Sequence, residues 1–145
     1  MRLYPLIFLS LLLSCSSVKK TDAQAGSQLL KDVEVLSSDA YEGRKTGTKG
    51  GEKARVYIAS RFKEIGLKTL PTFSGYEMPF TYTGKKGTAI EGKNMLAYVE
   101  GKSKNIIVIS AHYDHIGIIN NEIYNGADDN ASGIATLLKL ASHYT

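Results

Sequence analysis

The sequence predicts an α/β fold built on a largely parallel sheet, on three observations. Ile106-Ile107-Val108-Ile109 is a continuous β-branched run, the pattern of a strand covered on both faces. Three other stretches repeat apolar residues at helical spacing. Directly after the run, His112-Tyr113-Asp114-His115 falls at a strand end. That is where open α/β sheets bind their ligands.

At the amino terminus, Arg2 precedes an almost wholly apolar stretch from Leu3 to Leu13. Such a stretch is too short to span a bilayer but suits a signal-peptide core. Leu12-Leu13-Ser14-Cys15 resembles a bacterial lipobox. Residues 1–14 are therefore expected to be a lipoprotein signal peptide, with Cys15 lipidated and residues 15–26 a polar tether. This implies an exported protein of a bacterial cell envelope, held to a membrane by its lipid. The competing reading is a free Cys15 thiol in a plain signal peptide. Cys15 is the sole cysteine, so no intramolecular disulfide forms.

Residues 27–145 are read as one domain, since 145 residues leave room for a modest core. Apolar residues make up 43% and charged residues 22%, as in ordinary globular chains. The net charge of +4 is spread over scattered lysines, which argues against nucleic acid as a partner.

Leu29, Val33 and Leu36 predict a first helix over about 27–37. A glycine-rich loop follows from Ser38 to Gly51 and lacks the phosphate-loop pattern. Ala54, Ile58, Phe62 and Ile65 form one face of a second helix over about 51–65, with Gly66 as its C-terminal cap. Short strand pieces are expected around Pro71 and Pro79, with Tyr76, Phe80 and Tyr82 on a half-buried strand. A strand over Asn94–Val99 and a short link lead into Ile106–Ser110, which makes those two strands antiparallel. Ile116–Asn125 is a loop with a short strand at Glu122–Tyr124. Ile134, Leu137, Leu138 and Ala141 predict a last helix over 131–144, its stripe buried against the sheet.

Residues i and i+2 of an extended chain point the same way, so Asp114 can reach the ring of His112 from behind. A metal-bound imidazole commonly gives its other N–H to such a carboxylate. Asp128-Asp129 opens the last helix, where Asp129 is placed either as a hard metal ligand or, like Asn130, as a cap.

SAHYDHIG followed by NGADDNASG resembles the co-catalytic zinc aminopeptidases of peptidase family M28. The resemblance runs from about Leu29 onward. It implies a three-layer α/β/α zinc-exopeptidase fold with a mixed, largely parallel sheet. It also implies a site with two zinc ions, His112 binding one, Asp129 bridging both and Asp114 orienting His112. Asp128 matches a non-ligand, and His115 stands where the family has no ligand. The Leu36-to-Gly50 segment, with Glu42-Gly43-Arg44 and Gly47-Thr48, is similar to the family's N-terminal loop at the active-site rim.

In that family a Glu-Glu pair, an Asp and a His follow the bridging Asp. After Asp129 this sequence has no Asp or Glu, and His143 reads as a helix-surface residue. The chain is therefore expected to be the N-terminal portion of the peptidase domain, an inactive fragment of an aminopeptidase acting on peptides. Two other readings stay open: a zinc glutaminyl cyclase-like acyltransferase, and a non-catalytic binding module of the same fold.

Overall fold

The computed structural model describes the backbone of residues 17–85 and 87–145, and side chains from Gly26 onward. The expected signal peptide and Cys15 lie outside the described residues.

Three helices form the core. Helix α1 (Ser17–Leu36) begins ten residues before the expected start, so the stretch expected as a tether continues the helix. After a short 3-10 segment (Asp39–Arg44) comes α2 (Lys49–Ile65). The Thr48 hydroxyl accepts from Gly51 N at its start, and Gly66 closes it in a left-handed conformation, as expected. Helix α3 (Ser132–Tyr144) follows a π-type turn at Ala127–Ala131. Leu36, Ala54, Ile58, Phe62, Ile134 and Leu138 are all buried in one cluster. The stripe of α3 therefore packs on helices α1 and α2, and not on a sheet.

Between α1 and α2 lies a buried carboxylate. Asp32 accepts from the Tyr57 hydroxyl at 2.6 Å and from Gln28 Nε2 at 3.0 Å. Arg61 Nε stands 3.0 Å from it as an ion pair, without the alignment of a hydrogen bond. Burial and the bond to Asp32 both push the Tyr57 phenol well above its usual range.

Strands β1 (Glu77–Thr83) and β2 (Ala89–Met95) make an antiparallel hairpin, with Phe80 opposite Gly92. Phe80 and Tyr82 stack with ring centroids 6.2 Å apart on its open face. Tyr76 instead turns inward, edge-on to Phe62. Strands β3 (Gly117–Ile119) and β4 (Glu122–Tyr124) form a second hairpin, which places a strand at Glu122–Tyr124 as expected.

Among the described residues the architecture is mixed α/β, with helices and two small antiparallel sheets. The Ile106–Ser110 strand does not form. Ile106, Ile107 and Val108 are 86%, 88% and 82% exposed, and no strand pairs with them. The strand expected over Asn94–Val99 is displaced to β2 and pairs with β1, leaving only a bridge between Tyr98 and Lys68. The physical reason is that a β-branched run supplies propensity, whereas a strand exists only where neighbours accept its hydrogen bonds. Among the described residues no helix is long and apolar enough to cross a membrane.

Candidate metal centre

Three turns of chain meet at the site: residues 44–48 ahead of α2, residues 111–117, and the turn into α3. His112 and Asp129, distant in sequence, are brought together, with His112 Nε2 3.0 Å from Asp129 Oδ1. His115 Nδ1 lies 3.3 Å from the other oxygen, Oδ2. The His112 and Asp129 side chains are open to solvent, whereas that of His115 is largely buried.

Asp114 sits behind the His112 ring, as the i, i+2 geometry requires. The closer contact differs from expectation. His112 Nδ1 is 3.0 Å from the main-chain carbonyl of Asp114 and 3.6 Å from its carboxylate Oδ1. Thr46 Oγ1 donates to Asp114 Oδ2 at 2.8 Å, which engages the carboxylate with the 44–48 segment.

Gly133 N, in the first turn of α3, donates to Asn130 Oδ1 at 3.2 Å, while Asp129 faces the histidines. Asn130 Nδ2 also donates to the His112 carbonyl at 3.4 Å and ties the two motifs together. Gly126 opens the turn with φ +57°, and a Cβ there would stand 2.6 Å from the His115 ring. Glycine is the residue that permits both the conformation and the approach. Asp128 is exposed and contributes its carbonyl to the Ser132 hydroxyl.

A neutral imidazole carries one N–H, yet both ring nitrogens of His112 face oxygens. With the proton on Nδ1, the Nε2 lone pair is aimed at a carboxylate, and a cation between the two resolves the conflict. Two ligands of one tetrahedral zinc, at about 2.0–2.2 Å each, lie about 3.4 Å apart, so the 3.0 Å of this pair would open by a few tenths of an ångström around an ion. His112 and Asp129 thus fit two positions of a zinc shell. Among the described residues no group of three or more His, Cys, Asp or Glu is arranged to hold an ion. The two histidines meet opposite oxygens of Asp129, and His143 lies exposed on the far part of α3.

Two neighbours from the rim loop had no individual role in the sequence. Arg44 is fully buried beneath the site and Thr46 holds Asp114. Burial lowers the Arg44 guanidinium from its usual range, and the Asp114 and Asp129 charges oppose that shift. The Tyr113 hydroxyl donates to the Lys93 carbonyl at 2.7 Å and links the site to β2. Burial, then Asp114, raises that phenol.

Residues 94–145 match Peptidase family M28. That match contains His112, Asp114 and Asp129, so the segment that carries the site is similar to this family. The chain is similar to the alkaline phosphatase isozyme conversion protein of Escherichia coli (strain K12), 28% identical over 115 residues. That alignment covers 70% of this chain and 32% of the relative. It is also similar to the vacuolar membrane protease of Schizosaccharomyces pombe (strain 972 / ATCC 24843), 28% identical over 121 residues. Here 78% of this chain and 13% of the relative are covered. The chain thus spans a third or less of the length of both curated relatives.

Proposed function

We propose that the parent protein is a metal-dependent exopeptidase, an aminopeptidase that removes N-terminal residues from peptides at a two-zinc site. The observation that carries this reading is the convergence of His112 Nε2 and Asp129 Oδ1 at 3.0 Å, with Asp114 behind the ring. The match of residues 94–145 to Peptidase family M28 and the protease name of one relative support it.

His112 and Asp129 would hold the metal, with Asp129 offering two oxygens that can serve two ions. Zinc, when bound, acts as a Lewis acid on the scissile carbonyl and generates the nucleophile at neutral pH. The chain's own part is positional. Asp114 keeps the Nδ1 side of His112 occupied and so presents Nε2 to the metal. Asn130, bonded to Gly133 N in the first turn of α3 and to the His112 carbonyl, holds the turn from which Asp129 points.

The finer fold is proposed with the function. In the complete enzyme a three-layer α/β/α arrangement would receive Ile106–Ser110 as a strand of a mixed, largely parallel sheet. The high exposure of these apolar residues and the small share of each relative that is spanned support this. The parent is further proposed to be exported and lipid-anchored through Cys15.

The test is His112→Ala in the full-length enzyme, assayed for zinc content and for release of chromophore from an aminoacyl anilide. Loss of both is expected. Retained hydrolysis in this variant refutes the assignment.

A further inference from the structure

Arg44 is fully buried, yet no carboxylate forms an ion pair with it among the described residues. Its hydrogen bonds go to main-chain carbonyls. Nε donates to Tyr113 O at 2.9 Å, and Nη2 to Gly126 O at 2.7 Å. Nη1 donates to Leu36 O at 2.5 Å and Asn125 O at 2.6 Å. The Arg44 carbonyl in turn accepts from His115 N at 3.3 Å. One side chain thus joins the residue after His112, the two residues that open the Asp129 turn, and the end of α1.

A buried guanidinium is costly, and carbonyl dipoles offset its desolvation less than a carboxylate would. What it gives instead is geometry. Its planar fork places donors in several fixed directions at once, whereas a lysine ammonium is a point charge. The backbone is bent to bring it there. Glu42, Gly43 and Arg44 have φ of +51°, +64° and +50°. At Gly43 a Cβ would stand 2.6 Å from Gly117 O. Left-handed backbone at two non-glycine residues costs free energy and persists only where the surroundings hold it. Two residues further on, Thr46 reaches the Asp114 carboxylate.

We infer that the Arg44–Thr46 segment is the positioning element of the metal site. Arg44 sets the distance between the His112 and Asp129 loops, and Thr46 sets the orientation of Asp114 behind His112. This rests on the reading of His112 and Asp129 as metal ligands. Neither residue is a metal ligand in this reading; each acts through the residues it holds.

The test is zinc affinity of the full-length enzyme by competition with a chromophoric chelator, beside the thermal midpoint of the metal-free protein. Thr46→Val keeps the volume and loses the hydroxyl, whereas Thr46→Ser keeps the hydroxyl. Thr46→Val should weaken zinc binding about 10-fold, the lower end for an outer partner of a ligand, and Thr46→Ser should restore it. Arg44→Lys should weaken it about 10–100-fold. Packing alone would give the reverse order for the Thr46 pair, because valine fills the site better than serine. If wild type and His112→Ala bind zinc equally, the ligand assignment fails and this inference with it. If His112→Ala binds weakly while Thr46→Val binds like wild type, the positioning role alone is overturned.

Discussion

Ile107→Ala separates what the run Ile106–Ile109 looks like in sequence from what it does in this chain. A β-branched residue in a strand covered on both faces loses about 2–5 kcal/mol on truncation to alanine, as buried Ile and Leu residues do. In the structure Ile107 is 88% exposed. Little apolar area is removed from water, and no cavity can form. The expected change for such a surface site is within about ±0.5 kcal/mol. Leu138, fully buried against α1 and α2, serves as the internal standard. Its truncation should cost about 2–5 kcal/mol. Urea unfolding of both variants of the 145-residue chain, followed by far-UV circular dichroism, reads the difference as a shift in midpoint at constant slope. Dilute protein is needed, since an exposed apolar run is a site for strand pairing between copies. A cost of about 2 kcal/mol or more for Ile107→Ala would show that the run is buried in solution and would refute the described arrangement.

Asp32→Ala removes the partner of a buried arginine and of the Tyr57 hydroxyl. It should cost about 3–5 kcal/mol, the range for breaking a buried pair, read by the same unfolding assay. The raised Tyr57 phenol gives a pH signature. A group whose folded pKa lies above its unfolded value of 10.0 contributes stability that is complete below pH 10 and declines as pH rises above it. The thermal midpoint of wild type should therefore fall above pH 10 more steeply than that of Tyr57→Phe. Gly43→Ala meets backbone atoms of Gly117 and Tyr124 at a positive φ. It should destabilise by about 1–3 kcal/mol, the range of backbone strain, visible as a lower urea midpoint.

The helical core was legible because its signal is local. Ala54, Ile58 and Phe62 repeat at the period of a helix, and all three are buried. A stripe says that a face is covered but not by what, and so α3 was expected on a sheet and is found on helices. The Ile106–Ser110 run fails for a related reason, since strand formation needs partners that no single stretch encodes. At the site, the pairing of His112 with Asp129 was legible from motif order, and the structure brings the two together. Which of Asp129 and Asn130 would accept from the first turn of α3 was not, because either side chain can accept from a helix N–H. Arg44 was hidden by its surroundings. The sequence placed it only in a glycine-rich loop at the site's rim, and the fold alone shows it enclosed by carbonyls from three segments.

The most direct test of the metal centre is anomalous scattering at the zinc edge from crystals of the full-length enzyme soaked in zinc. The account predicts a peak about 2.0–2.2 Å from both His112 Nε2 and an Asp129 carboxylate oxygen. A peak that involves neither residue, with His112 and Asp129 still in direct contact, would contradict it.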